Sequence, residues 1–188
     1  MSAEDPQIDL AEFRRALSCF ATGVAVVTTR DACGARVGMT ISSFNSVSLD
    51  PPLVLWSIAN DAYSFDTFMH VDYFAVNVLT MDQQDLSARF ATQGIDKFAG
   101  LACREGLHGM PILPEYAACF ECRTEHRYQG GDHTIVVGRV LRLEDRESDP
   151  LIFYRGRFLR KGGPYPEQRP APKPRGLASR SKRGSSAR

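Results

Sequence analysis

Apolar residues recur at helical spacing once, near the start of the chain, and then give way to β-branched runs. Leu10, Phe13, Leu17 and Phe20 share a helical face, Asp9 stands before them as a cap, and Glu12 follows three residues on. This pattern predicts a helix over residues 9–21, closed by Thr22 and Gly23. Residues 24–29 are β-branched throughout except for Ala25 and predict a strand, with Gly34 in the turn that follows. A second strand is expected over 36–43, a turn at 48–52 and a third strand over 53–58. Residues 64–70 suit a short helix that Ser64 can cap. A fourth strand over 73–79 and a helix over 82–91 follow. Residues 92–114 read as loop. The remaining strands are expected at 117–128, 134–143 and 151–154.

Short strands joined mostly by turns favour an antiparallel barrel over a doubly wound sheet. The fold class is therefore mainly β with flanking helices. No G-x-G-x-x-G stands between a strand and a helix, so a Rossmann site is not indicated. With 188 residues the chain suits one domain, expected over residues 1–162. Residues 163–188 are rich in Pro, Ser, Gly and Arg and are expected to be a disordered basic tail. From residue 164 on, seven Lys or Arg face one Glu, a charge of +6, whereas the preceding residues carry sixteen against twenty-one, a charge of −5. Tyr165 is the tail's only aromatic residue, which favours a solvated extension over a nucleic-acid arm. Its charge suits steering toward an acidic partner.

No apolar run is long enough for a membrane span, and residues 1–7 lack the basic-then-apolar pattern of a signal peptide, so a cytoplasmic location is expected. The five cysteines are odd in number and scattered, unlike a disulfide framework. Cys119 and Cys122 form a C-x-x-C pair, but a zinc site needs two more close ligands, and only His126 and His133 are near. Both cysteines are expected to be small buried side chains of a strand, and no metal is expected.

Three clusters hold candidate chemistry. The strand that opens with Gly38 ends among hydroxyls: Thr40, Ser42, Ser43, Ser46 and Ser48. Thr40 and Ser42 share one face by strand alternation. Such a strand end suits a phosphate or the edge of a polar heterocycle, or is simply a polar strand end with turn-forming serines. The second cluster runs from Gly130 to Gly138 and contains His133, either a ligand contact or a structural histidine. Gly138 inside a β-prone run suggests close approach by a ligand or another backbone. The third is Phe153-Tyr154-Arg155-Gly156-Arg157-Phe158, where guanidiniums flank a glycine among aromatics, as suits an anionic or planar ligand.

These residues carry a family resemblance. Residues 20–24 (Phe-Ala-Thr-Gly-Val), Gly38-Met39-Thr40, the run from Ser43 to Leu55, residues 74–79, Lys97-Phe98, Gly131-Asp132-His133 and Tyr154-Arg155-Gly156 together resemble the short-chain flavin reductase family. These are reductase components of two-component flavin-dependent monooxygenases, within the FMN-binding split-barrel superfamily. The match runs from about Phe13 to Phe158. It implies a homodimeric split barrel that takes FMN or FAD and NADH or NADPH and hands reduced flavin to a monooxygenase. By family position, Thr40, Ile41, Ser42, Ser43 and Phe44 would line the isoalloxazine and ribityl chain, with Ser46 and Val47 continuing that wall. Asp61, Ala62, Tyr63 and Ser64 would approach the phosphate, and Phe90 would lie near the flavin or nicotinamide. His133, with Gly156 and Arg157, would face the nicotinamide, His133 orienting it.

The chain departs from the family at Asn60-Asp61, where members often place a basic residue beside the phosphate. Contact there would run through backbone N–H groups and Ser64 at a helix start. Two other readings stand beside the reductase. One is a split barrel that binds flavin without turnover, which has no need of a nicotinamide-facing His133. The other is an oxidase of the pyridoxamine-phosphate type, which wants several Arg or Lys around a substrate phosphate, and the hydroxyl-rich segment lacks them.

Overall fold

The computed structural model describes residues 7–160 and 162. The chain runs α1 (Leu10–Leu17), β1 (Thr22–Gly23), β2 (Ala25–Arg30), β3 (Arg36–Ile41), β4 (Asn45–Leu49), β5 (Pro52–Ala59), α2 (Phe65–His70), β6 (Tyr73–Val78), α3 (Gln84–Ala91), β7 (Arg104–Glu105), β8 (Pro111–Ile112), β9 (Ala118–Gly130), β10 (His133–Asp145), β11 (Ile152–Tyr154) and β12 (Arg157–Leu159). A seven-stranded sheet has the order β3-β2-β6-β9-β10-β5-β4, and each neighbouring pair is antiparallel.

The strand order dictates a barrel. β3 and β4 are the two edges of the sheet, yet only residues 42–44 join them. A flat sheet of seven strands at about 4.8 Å spacing is roughly 29 Å wide. Three linking residues reach about 14 Å at full stretch. The sheet must therefore roll until its edges meet. At that seam the Ser57 N–H of β5 donates to Ser43 Oγ (2.9 Å), and the Ser43 hydroxyl donates to the Ser57 carbonyl (3.2 Å).

The period of two along each strand sorts the side chains. Ala25, Val27, Ile41, Val54, Trp56, Ile58, Phe74, Val76 and Val136 fill the barrel interior, with Phe68 of α2 packed edge-on against Trp56. On the outer side Val24, Val26, Leu79, Phe90, Phe98, Leu113 and Leu151 form a second layer beneath α3 and the 92–101 segment. Cys119 and Cys122 are buried in β9, as expected, and burial pushes the Cys119 thiol up to about 12 and raises that of Cys122 further. Neither is available as a thiolate at neutral pH.

Several boundaries differ from the sequence pattern. The first helix stops at Leu17 with Ser18 as its cap, and Thr22-Gly23 is a short strand on β11 rather than a helix stop. Asp9 caps as expected, its carboxylate accepting from the Glu12 N–H (2.8 Å). Ser64 holds the cap position of α2, but its hydroxyl reaches the Met39 sulfur (3.5 Å) instead of a helix N–H. Residues 45–49, read as polar strand end and turn, form the edge strand β4, and β12 pairs back on β11. Residues 163–188, expected to be a disordered tail, lie outside the described residues.

Gly138 is a correction of a different kind. It serves core packing and not a ligand: a Cβ there would overlap the Phe74 ring and sit 3.0 Å from Cys122 Cβ. Gly138→Ala is expected to overpack the interior by about 1–3 kcal/mol. For a chain of this size that lowers Tm by about 3–10 °C. Thermal melting reads it, and an unchanged Tm would show that the Phe74 ring moves aside.

Candidate functional site

The outer ends of β3, β5 and β10 and the β11–β12 hairpin carry most of the expected site residues. Thr40 and Ser42 point away from the barrel interior, on the α3 side of β3. With Val24, Ile41, Ser87, Ala91, Phe153 and Phe158 they line a cavity of about 240 Å³. One wall is hydroxyl-bearing and the other is a pair of tilted rings, Phe153 and Phe158, 5.5 Å apart. This suits one edge of a planar heterocycle. The volume lies below the roughly 300–1,000 Å³ that engulfs a whole ligand, so a nucleotide here keeps much of itself on the surface.

Not every hydroxyl is free. Thr40 donates to the Ser87 carbonyl (2.7 Å) and thereby fastens β3 to α3. Ser43 is occupied with Ser57 at the seam. Ser42 and Ser46 are exposed, and Val47 is half exposed on the outer edge of β4. Phe44 packs on Phe120, ring centroids 5.2 Å apart. Phe90 is the clear correction: it is 0 % exposed, stacked edge-on with Phe98, and a Cβ at Gly38 would sit 2.7 Å from its ring. It holds α3 to the barrel and lies behind the cavity wall.

A second group gathers around His133. The β9–β10 turn is a two-residue loop, Gly131-Asp132, with positive φ at the glycine as a type II′ turn requires. Register places His133 opposite Ala59, so the 59–64 segment lies beside this turn. Asn60 sews the two together: its N–H donates to the Asp132 carbonyl (2.9 Å), its Nδ2 to the Gly131 carbonyl (3.1 Å), and its Oδ1 accepts from Thr134 Oγ1 (2.9 Å). Where the family often has a basic residue, this chain has a buttress. Asp61 is exposed, Ala62 is half-buried, Tyr63 is 83 % exposed and Ser64 is buried. The Ser64–Met39 contact joins this segment to β3, and through β3 to the hydroxyl cluster.

The state of the His133 ring follows from its neighbour. Nδ1 lies 2.8 Å from Asp132 Oδ1. That hydrogen bond, and then the charge of the ring, hold the Asp132 carboxyl below its ordinary range. An ionised carboxylate only accepts, so Nδ1 carries a proton and Nε2 is the ring nitrogen turned away from Asp132. Arg14 of α1 is close enough for its charge to add to the effect on Asp132. α1 thus runs from the His133 turn toward the β11–β12 hairpin, where the Arg155 N–H donates to the Ser18 carbonyl (3.1 Å). Gly156 and Arg157 are exposed at that hairpin, Gly156 with φ of 75°.

Lys97 braces the cavity from behind. Its ammonium donates to the carbonyls of Phe90 (2.8 Å) and Gly38 (3.1 Å), closing α3 onto β3 behind the cavity. Partial burial lowers its pKa. A separate cavity of about 460 Å³ is lined by Asp31, Asp66 and Asp72 with Tyr73 and His108. It contains none of the expected residues, and its carboxylates suit it poorly to a phosphate-bearing ligand. Among the described residues no cluster of His, Cys, Asp and Glu is arranged to hold a metal, and no helix is long and apolar enough to cross a membrane.

Residues 17–162 match the model of the flavin reductase like domain. The chain is 48 % identical over 148 residues to FMN reductase (NADH) SmoA of Agrobacterium fabrum, covering 79 % of this chain and 84 % of that one. It is 42 % identical over 152 residues to the reductase subunit HsaB of a flavin-dependent monooxygenase from Rhodococcus jostii, covering 80 % and 77 %. The structure of the NADH:FAD oxidoreductase SgcE6 of Streptomyces globisporus, in complex with NAD and FAD fragments, superposes with TM-score 0.77 at 36 % identity, covering 81 % of this chain and 93 % of that one. Some relatives are longer: the chain spans 49 % of a probable flavin reductase of Rhizobium meliloti.

Lys97→Met is expected to free α3 from β3 and loosen the cavity wall. Losing two partly exposed charge-assisted hydrogen bonds costs about 1–3 kcal/mol in all. Tm and flavin affinity are expected to fall together, with Lys97→Arg retaining most of both. Melting and flavin titration on the two variants check this, and a wild-type flavin Kd in Lys97→Met would remove Lys97 from the site's support.

Proposed function

The chain belongs to the flavin reductase-like family, and from that premise we propose that it is an NAD(P)H:flavin oxidoreductase that supplies reduced flavin to a partner monooxygenase. The observation that carries this reading is the cavity between the Thr40–Ser42 strand end and the Phe153–Phe158 hairpin, with His133 on the adjoining turn. It takes FMN or FAD together with NADH or NADPH. The nicotinamide supplies the hydride and the flavin accepts it.

The residues of the chain hold and align. Phe153 and Phe158 offer ring faces and edges to a planar heterocycle, and Thr40 and Ser42 form the opposite wall. The 61–64 segment, which follows β5 and is buttressed through Asn60, meets the flavin phosphate without a cation. His133 presents Nε2 to the nicotinamide carboxamide, its ring held in place by Asp132. Such alignment shortens the path for the hydride and asks for no protein nucleophile. The shallow cavity suits a flavin that arrives free and leaves reduced.

The molecule is also proposed to work as a homodimer. The apolar stripe of α1 lies outside: Leu10 is 71 % and Leu17 57 % exposed, with Phe13 half exposed, and Phe20 just past the helix is 73 % exposed. A stripe of this width at a helical period ordinarily faces a core. A second copy is the partner that the family reading supplies.

Purified protein is expected to oxidise NADH or NADPH on addition of FMN, FAD or riboflavin. In the same assay His133→Ala should raise the nucleotide KM about threefold to tenfold, the worth of one hydrogen bond of about 0.5–1.5 kcal/mol. Flavin affinity and Tm should hold, since the ring is exposed. If no nucleotide is consumed with any flavin, the binding-only barrel replaces the reductase. A parallel fall of rate, flavin affinity and Tm in His133→Ala would mark the histidine as structural. Sedimentation checks the assembly: a dimer is expected for the wild type and a shift toward monomer for Leu17→Asp, and a monomeric wild type with flavin bound would refute it.

A further inference from the structure

The face of α1 opposite its apolar stripe borders a cleft of about 550 Å³, lined by Glu12, Arg15, Ala16, Ser18, Cys19 and Arg155. Its far wall is the turn of the β11–β12 hairpin. The inner side of that hairpin, Phe153 and Phe158, lines the flavin cavity. The same α1 carries Arg14, whose charge reaches Asp132 beside His133. The cleft therefore adjoins the hairpin wall of the proposed site.

Arg155 sits in the cleft at a conformational cost. Register pairs Tyr154 with Arg157, so Arg155 and Gly156 are the two turn residues, and both have positive φ, 48° and 75°. This is the pattern of a type I′ turn, where Asn, Asp or Gly ordinarily takes the first position. A left-handed arginine carries a steric penalty that those residues largely avoid. Its guanidinium makes no ion pair among the described residues; it lies 3.2 Å from Cys19 Sγ, beside the cleft. Arg15 has no carboxylate partner among the described residues either. Strain at one position, with two unneutralised guanidiniums facing one cleft, is the signature of a group retained for a ligand.

The charge balance admits an anion. Glu12 is the one carboxylate of the lining, against two guanidiniums. The negative end of the α1 dipole is blunted, because the Arg15 carbonyl accepts from Ser18 Oγ (2.6 Å) and the Ser18 carbonyl accepts from the Arg155 N–H. We infer that this cleft is the phosphate subsite for the nicotinamide nucleotide, with Arg15 and Arg155 pairing its pyrophosphate or 2′-phosphate oxygens. The inference rests on the flavin reductase reading. The flavin phosphate is assigned elsewhere, to the 61–64 segment, so the two nucleotides do not compete for these cations.

The test is direct binding of ADP-ribose and of its 2′-phospho derivative to the full-length protein, with FMN titrated in parallel. Arg15→Gln and Arg155→Asn are each expected to weaken ADP-ribose about fivefold to tenfold, the low end for a charge-assisted contact at a solvated site. Glu12→Gln should tighten it. Arg155→Asn should also raise Tm, because asparagine relieves the turn, so stability and affinity move in opposite directions. FMN affinity should stay within twofold in all three. A stronger loss for the 2′-phospho derivative assigns the pair to the 2′-phosphate, and an equal loss assigns it to the pyrophosphate. Unchanged ADP-ribose affinity in both arginine variants overturns the inference, as does no binding to the wild type, or a joint fall of Tm, FMN affinity and ADP-ribose affinity. ADP-ribose is read without turnover, so its failure beside intact reductase activity removes only the subsite. A wild type that consumes neither nucleotide with any flavin removes the reductase reading and this inference with it.

Discussion

Three residues between β3 and β4 constrain everything else in this molecule. They tie the two edges of a seven-stranded sheet together, and the Ser43–Ser57 hydrogen bonds close the seam. Rolling the sheet gives each strand an inside and an outside, and alternation then divides the work. Inward residues such as Val27, Trp56, Phe74 and Val136 supply apolar burial. Outward residues at the same strand ends are left for contact with ligands. Thr40 reaches the cavity because Met39, its neighbour in β3, packs against the barrel core instead. A slip of one residue in β3 would exchange core for site.

Closure also explains why the site is assembled from distant segments. Once β5 and β10 pair, His133 must lie opposite Ala59, and the chain leaving β5 must pass the β9–β10 turn. Asn60 converts that proximity into a fixed relation with three hydrogen bonds. On the other flank Lys97 and Thr40 hold α3 to β3 from two directions. The hairpin wall is held more lightly. β1 pairs with β11 over two positions, and α1 meets the turn through the Arg155–Ser18 bond and the Cys19 contact.

The parts legible in the sequence are those where a local pattern and the tertiary demand coincide. Strands 25–30, 73–78 and 118–130 carry β-branched or alternating runs that the sheet needs, and the Gly131 turn is a strong local signal. β4 was not legible because Asn45, Ser46 and Ser48 are poor strand formers, paired only because β5 offers an edge. β12 is three residues long and exists as the return of a hairpin. Phe90 is not legible as a brace because an aromatic near a site motif looks the same whether it faces the ligand or holds the wall from behind. Gly38, which leaves room for that ring, held the clue. The hydroxyls of Thr40 and Ser43 read as ligand donors, yet the fold uses them for itself. Only the placement of Ser87 and Ser57, distant in sequence, decides such a case.

Uneven anchoring bears on release of the product. A site that must let reduced flavin go gains nothing from a deep pocket, and the cavity proposed for the flavin, about 240 Å³, is smaller than one that engulfs a whole ligand. The α3 wall is braced by buried aromatics and a charged lysine, whereas the Phe153–Phe158 wall hangs on a short ladder and a strained turn. Local opening follows the least protected hydrogen bonds, so the hairpin is the element that yields first. Its turn residue Arg155 meets α1, and α1 extends toward the His133 turn. A ligand gripping Arg155 would therefore steady the aromatic wall of the flavin cavity, coupling nucleotide binding to flavin retention through one hairpin. Loss of that grip after hydride transfer would loosen the wall at the moment when the reduced flavin has to leave.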